Sequence, residues 1–273
     1  MAENNLLVSV VMPAYNSEKY ISEAIESILN QTFKDFEFII IDDGSTDKTW
    51  EIIQEYAKKD ERITAFKNEK NLNNYATRNK GIKIAKGKYI VWQDSDDVSL
   101  PNRLEKQVDF MEKNLEVGIC GSYMQIFTDE RDLNIRKYSI EDKDLRKDIF
   151  KFSPIAQPAA IIRKSCYEKV GYYDDRFDAT QDLDMTFRIG NEFKLANIPE
   201  VLVNYRVHSD SITYTKLNRQ IENALRIRKK YSSGYNYKID LSGRIACTVA
   251  WCMQFMPVGV VYKVFELFRS KYV

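Results

Sequence analysis

From residue 6 to residue 97, short apolar runs alternate with stretches whose apolar positions recur at helical spacing. Positions 6–12 form a strand-length apolar run that Pro13 stops. Ile21, Ala24, Ile25, Ile28 and Leu29 then share one helical face, so the pattern predicts a helix over 20–29. A second apolar run, 36–41, ends abruptly in Asp42-Asp43-Gly44-Ser45. Asp47 is suited to cap a helix that turns Trp50, Ile53 and Tyr56 inward. Strands follow at 63–66 and 89–92, separated by a helix that Asn74 could cap and Gly87 ends. Alternation of this kind predicts an α/β protein with a mainly parallel, Rossmann-like central sheet flanked by helices.

Beyond residue 115 the pattern is more mixed. It predicts strands within 117–127, at 159–162 and at 201–207, and helices at 142–150 and 181–189. No repeat, Gly/Ser linker or low-complexity tract marks a boundary. Residues 1–212 read as one domain, with 213–273 as a helical C-terminal region.

Two predicted strands run directly into polar, carboxylate-rich loops, Asp42-Asp43-Gly44-Ser45 and Gln93-Asp94-Ser95-Asp96-Asp97. Asp, Gly and Ser are ordinary turn residues, but the carboxyl edge of an open α/β sheet is where ligands bind. The crowded carboxylates of Asp94, Asp96 and Asp97 repel one another, and a divalent cation relieves that repulsion. Hard oxygen ligands in small number suit Mg²⁺ or Mn²⁺ that keeps waters and completes its shell with phosphate oxygens.

Composition narrows the class. With 44% hydrophobic and 30% charged residues, the chain is neither disordered nor a polytopic membrane protein. Its formal net charge of +1 supplies no global field for nucleic acid. Four cysteines without a C-x-x-C pair and a single histidine exclude a zinc ribbon or finger and suit reduced thiols in a cytoplasmic protein. The start, Met1-Ala2-Glu3-Asn4-Asn5, lacks the basic stretch of a signal peptide. Neither a G-x-x-x-x-G-K-[ST] loop nor a G-x-G-x-x-G turn occurs, so phosphates would be met by a metal and a cation such as Arg78.

Several motifs, in order, carry a resemblance. Val8-Ser9-Val10-Val11-Met12-Pro13-Ala14-Tyr15-Asn16, then Ser27-Ile28-Leu29-Asn30-Gln31-Thr32-Phe33 and Ile41-Asp42-Asp43-Gly44-Ser45-Thr46-Asp47 look like the opening of family 2 glycosyltransferases. Ala76-Thr77-Arg78-Asn79-Lys80-Gly81 and Asp94-Ser95-Asp96-Asp97 continue it, to about residue 210. The resemblance implies a GT-A fold, a nucleotide-sugar donor (commonly a UDP-sugar), a divalent metal and inversion at the anomeric carbon. It places Pro13, Ala14, Tyr15 and Asn16 around the nucleoside and Asp43 on the base. Arg78 and Asn79 would lie near the diphosphate or donor sugar, with Asp94 and Ser95 on the donor and Asp96 on the metal. Asp182, in Ala179-Thr180-Gln181-Asp182-Leu183-Asp184, matches the catalytic base, although Gln181 stands where the family usually has an acid. His208, in Tyr205-Arg206-Val207-His208-Ser209-Asp210-Ser211, matches a position that often supplies a late metal ligand or a phosphate contact. Asn73-Asn74 departs from a glycine frequent there, and residues 153–160 would line the acceptor side.

The leading expectation is therefore an inverting, metal-dependent transfer of a sugar to a glycan or lipid-linked glycan in bacterial surface-polysaccharide synthesis. Alternatives are an inactive nucleotide-sugar or glycan-binding module and a sugar-1-phosphate nucleotidyltransferase; the second would want a Gly-rich loop where Pro13-Ala14-Tyr15-Asn16 stands. Residues 216–244 are strongly basic, and 245–262 carry no charge. Pro257 and Gly259 interrupt that run, which leaves a spanning helix, a core or oligomer-packing helix and interfacial helices as readings. The interfacial reading fits a peripheral enzyme at the cytoplasmic face of a membrane.

Overall fold

The computed structural model describes residues 6–177, 179–208, 217–233 and 235–256. Its centre is a sheet that begins with β1 (Val8–Ala14), β2 (Phe36–Asp42), β3 (Ile63–Lys67) and β4 (Tyr89–Trp92), all parallel and ordered β3-β2-β1-β4. Between them run α1 (Ile21–Leu29), α2 (Thr49–Lys59) and α3 (Asn74–Ile84). The short β5 (Val98–Ser99) and α4 (Arg103–Lys113) lead to β6 (Val117–Phe127), β7 (Asp132–Arg136), α5 (Asp142–Asp148) and β8 (Ile161–Arg163). Then come α6 (Lys164–Val170), α7 (Gln181–Glu192), β9 (Lys194–Arg206), α8 (Leu217–Tyr231) and α9 (Leu241–Met253). The sheet continues past β4 as β8-β6-β9-β5, with β8 and β5 antiparallel to their neighbours and β6 parallel to β9.

Burial on both faces explains why the first strands read as nearly continuous apolar runs. Val8, Val10 and Met12 of β1 and Phe38 and Ile40 of β2 pack with Ile21, Ile25 and Ile28 of α1 and Leu104 and Met111 of α4. The alternate residues Val11, Ile39, Ile41, Ile90 and Trp92 pack on the other face with Ile82 of α3, Tyr167 of α6 and Met185 of α7. A third cluster, Ile149, Phe150, Leu183, Phe187, Ile227 and Tyr231, joins α7 to α8. The Phe187 and Tyr231 rings stack there with centroids 4.6 Å apart.

Local endings differ from the sequence reading in instructive ways. Pro13 does not stop β1, which pairs on through Ala14 opposite Asp42. The register with β4 closes at Val11 opposite Trp92, so Pro13 has a strand on one side only and its missing N–H is tolerated. Asn74 is the first residue of α3 rather than its cap; Asn73, at φ 73°, occupies the cap position. Asp47 acts one residue ahead of the cap of α2, accepting hydrogen bonds from the N–H groups of Thr49 (3.0 Å) and Glu18 (3.1 Å). Among the described residues, no helix is long and apolar enough to cross a membrane. The uncharged run 245–262 is described only to residue 256; the rest, with the final basic residues, lies outside the described residues.

Gly87 sets the approach of the α3–β4 connection to β1. A Cβ there would lie 2.6 Å from the Ser9 amide nitrogen and 2.7 Å from the Val8 carbonyl carbon, both backbone. Gly87→Ala should therefore cost about 1–3 kcal/mol by overpacking. Urea unfolding would show it as a lower midpoint at an unchanged m-value, and an unshifted midpoint would contradict this packing.

Candidate active site

The loops that leave β1, β2 and β4 face one another at the carboxyl edge of the sheet and open into a cleft of about 1610 Å³. Strand order reverses around β1, whose chain continues to β2 on one side while β4 flanks the other. Such a switch point leaves a crevice between diverging loops. Pro13, Ala14, Tyr15, Asn16, Asp43, Arg78, Asp94, Ser95, Asp96, Asp182 and His208 all line this cleft. Asn79 does not: its side chain donates to the Tyr173 carbonyl and accepts from the Tyr173 N–H, both at 3.0 Å. That two-way tie commits its amide to the Tyr173 backbone.

The β1 and β2 loops are bound to each other. Asn16, at φ 48°, accepts from the Thr46 N–H (2.9 Å), and its own N–H donates to Ser45 Oγ (2.9 Å). Gly44 makes the turn at φ 77°, where a Cβ would also meet the Lys70–Asn71 backbone at 2.7–2.9 Å. Asp43 is 4% exposed, and its Oδ1 accepts from Asn68 Nδ2 (2.8 Å) and the Leu72 N–H (2.9 Å). Tyr15, by contrast, is 48% exposed and offers an uncovered ring to the cleft. The Ser17 and Ser95 hydroxyls, 2.7 Å apart, join the β1 loop to the acidic loop after β4.

That acidic loop rests on buried cations that sequence reading did not connect to it. Arg103 is fully buried and donates to the Trp92 carbonyl (2.8 Å), Gln93 Oε1 (3.2 Å) and Ser99 Oγ (2.8 Å). Burial lowers its pKa to about 9, opposed by the charges of Asp97 and Asp94. Gln93 in turn donates to the carbonyls of Asp94 (3.0 Å) and Asp97 (2.8 Å). Arg206, at the end of β9, donates from Nε to the Asp96 carbonyl (3.0 Å) and from its N–H to Asp97 Oδ1 (2.9 Å). Its guanidinium also pairs with Asp129 (2.6 Å) and Glu23 and lies over the Tyr20 and Phe127 rings, 4.4 Å from each centroid. Asp97 is buried within this framework and does not line the cleft; burial raises its pKa, and so do the neighbouring Asp96 and Asp94 charges.

On the cleft side, Arg78 Nη2 donates to Asp94 Oδ1 (3.1 Å), with the guanidinium over Trp92. Its Nε is buried without a hydrogen-bond partner. Burial raises the pKa of Asp94, while the Arg78 charge lowers it. Asp182 stands in the first turn of α7, where the helix N-terminus favours a carboxylate. Burial raises its pKa as well, and again Arg78 opposes the rise. Beside it, Thr180 Oγ1 and Gln181 Oε1 are buried without a hydrogen-bond partner, and both residues line the cleft. Asp96 Oδ2 meets His208 Nε2 at 2.9 Å. One carboxylate oxygen and one imidazole nitrogen fit a divalent ion that takes the rest of its shell from water and phosphate oxygens. Among the described residues, no group of three or more His, Cys, Asp or Glu is placed to hold a metal by itself.

Comparison with known proteins decides the class. The family model for glycosyl transferase family 2 matches residues 9–171. The chain belongs to glycosyltransferase family 2. It is 41% identical over 220 residues to an uncharacterized glycosyltransferase, MJ1057, of Methanocaldococcus jannaschii, covering 78% of this chain and 75% of that one. Among solved structures, Staphylococcus aureus TarS 1–349 in complex with UDP-GlcNAc matches with a TM-score of 0.70 at 19% identity, over 90% of this chain and 71% of that one. The longer TarS structure is spanned by this chain over 43% of its length. The mannosyltransferase PcManGT from Pyrobaculum calidifontis, in complex with GDP-Man and Mn²⁺, matches at 0.68 and 16% identity, over 97% and 80%. The curled sheet with flanking helices is thus the GT-A fold expected from the motifs, and family 2 membership removes the nucleotidyltransferase reading.

Arg206 generates a prediction for this family 2 glycosyltransferase. Losing a buried donor to the Asp96 carbonyl should cost about 1–3 kcal/mol; the half-exposed Glu23 and Asp129 add little to that. Arg206→Gln is expected to lower stability by that amount and raise the donor KM, with Arg206→Lys recovering only part because an ammonium lacks the guanidinium fork. Thermal unfolding and donor kinetics that match wild type in Arg206→Gln would refute this support role.

Proposed function

We propose that the protein transfers a sugar from a nucleotide-sugar, in first place a UDP-sugar, to an acceptor hydroxyl with inversion at the anomeric carbon. One observation carries this reading: on the wall of one cleft, Arg78 bonds Asp94 (3.1 Å) and its charge favours the ionised form of Asp182. A cation so placed serves a diphosphate and keeps a base ionised. The solved structures with UDP-GlcNAc and with GDP-Man and Mn²⁺ support a nucleotide-sugar donor for this fold.

Pro13, Ala14, Tyr15 and Asn16 take the nucleoside, with the exposed Tyr15 ring against the base and Asp43 accepting from its N–H. Asp94 and Ser95 hold ribose and donor-sugar hydroxyls, and Arg78, on the cleft wall, turns its charge toward a diphosphate oxygen. Asp96 and His208 would hold Mn²⁺ or Mg²⁺; when bound, that ion offsets the charge that grows on the departing diphosphate. Asp182 accepts the acceptor hydroxyl proton as the oxygen attacks C1 from the face opposite the leaving group. A single displacement of this kind inverts the centre. The acceptor is read as a glycan or lipid-linked glycan of a bacterial surface polysaccharide, with residues 213–273 lying against the cytoplasmic face of the membrane.

Asp182→Asn is expected to keep UDP binding and lose at least ~10² in transfer rate, because an amide cannot take the proton; near-normal turnover would remove Asp182 from the role. The pH profile gives an independent check. Burial raises the Asp182 pKa, so kcat should fall on acidification with its midpoint above the usual carboxylate range. Arg78 favours the ionised form, so Arg78→Gln should move that acid limb to higher pH. A limb that stays in place or moves to lower pH would show that Arg78 does not act on the base.

A further inference from the structure

The cleft does not end at Asp182. It runs on between α8 and α9, where each helix presents one stripe: Ile221, Ala224 and Arg228 from α8, and Ile245, Val249 and Met253 from α9. Spacings of three, four and seven residues put each set on a single helix face. Ile245 and Val249, at 56% and 36% exposure, leave this wall apolar and open.

Arg228 is the anomaly in that wall. It is 7% exposed, yet no carboxylate pairs with it among the described residues. Its Nε donates to the Ile149 carbonyl (3.1 Å), and the residue lines the cleft. Burial depresses its pKa to about 10, so the site strains against its charge. A desolvated cation without a counter-charge is costly unless an anion comes to it. The neighbouring Lys151 differs, since Asp148 already pairs with it at 3.1 Å. Arg136 and Lys137, at the end of β7, add further positive charge along the same cleft.

We infer that this end of the cleft is the acceptor subsite for an amphiphile in which a phosphate joins the acceptor sugar to an aliphatic chain. The phosphate seats on Arg228, the chain lies along Ile221, Ile245 and Val249, and the sugar reaches back toward Asp182. This rests on the transfer reading above and names its acceptor class: a lipid phosphate rather than a free, neutral glycan. The two chemistries support each other, because an apolar wall strengthens the guanidinium–phosphate attraction by excluding water. Guanidinium is also the cation whose donor fork matches a phosphate.

The test is binding, read by Trp fluorescence, of dodecyl phosphate, dodecyl glucoside and inorganic phosphate, with amphiphiles below their critical micelle concentrations. Wild type should bind dodecyl phosphate at least tenfold more tightly than either of the others. Arg228→Gln should lose about tenfold for dodecyl phosphate and change dodecyl glucoside by less than twofold, while Arg228→Lys keeps only part of the preference. Val249→Asp should weaken both amphiphiles. Equal wild-type affinity for the two amphiphiles, an undiminished preference in Arg228→Gln, or inorganic phosphate binding as tightly as its alkyl ester would overturn the proposal. So would a chain ending at Met256 that binds dodecyl phosphate tenfold more tightly than full length, which would make residues 257–273 the natural occupant. UDP binding, measured in parallel on every variant, separates the outcomes: its loss in wild type counts against the donor site, and its retention confines a failure to the acceptor end.

Discussion

Carboxylates gathered at one point repel one another, and this protein overcomes that repulsion with buried guanidinium groups. Arg78, Arg103 and Arg206 come from α3, α4 and the end of β9, and they converge on the loop after β4. Each holds a different part of it. Arg78 compensates the Asp94 carboxylate, Arg103 holds the loop's base through Trp92 and Gln93, and Arg206 fixes the Asp96 carbonyl and Asp97. With the backbone held from behind, the Asp94 and Asp96 side chains line the cleft and not the interior. Donors fixed before ligand arrives spare the reaction the cost of organising them.

Topology then delivers the remaining chemistry to the same edge. The parallel half of the sheet brings the Tyr15 and Asp43 loops beside the acidic loop, and hydroxyl contacts such as Ser17 with Ser95 bind them together. The mixed half supplies what the parallel half lacks. β9 runs beside β6 and ends at Arg206, two residues before His208, while α7 begins at the cleft and carries Asp182 in its first turn. α7 is itself anchored: buried Asp184 accepts from Arg188 (2.8 Å), Lys230 (3.1 Å) and Tyr231 (2.9 Å). The α8 helix therefore does two jobs, fastening the helix that carries Asp182 and lining the far end of the cleft.

Much of this was legible in the sequence because its signals are short-range. Buried parallel strands betray themselves as apolar runs, and the loops that follow them in Asp42-Asp43-Gly44 and Asp94-Ser95-Asp96-Asp97 name the ligand edge. Ile21, Ala24, Ile25 and Ile28, placed on one helix face by spacing alone, are all buried. What stayed hidden depends on distance along the chain. Arg206 meets the Asp96 carbonyl across 110 positions, and no local pattern marks that pairing. The first half of β9 was missed because Asn197, Pro199 and Glu200 break its apolar alternation, although β6 pairs alongside. Asn79 looked functional by its motif, and only the fold shows its amide committed to Tyr173. Arg228 belongs to the strongly basic stretch 216–244, and nothing local separates it from its neighbours; its burial appears only when α8 meets α5 and α9.

In the proposed mechanism Asp96 and His208 would hold a divalent cation together with the donor's diphosphate. Electron paramagnetic resonance of free Mn²⁺, titrated into the protein with and without UDP, addresses it directly. Mn²⁺ uptake should be weak for the protein alone and at least tenfold tighter once UDP is present, and Asp96→Asn should lose that gain. Mn²⁺ bound equally well without UDP, or an undiminished gain in Asp96→Asn, would contradict it.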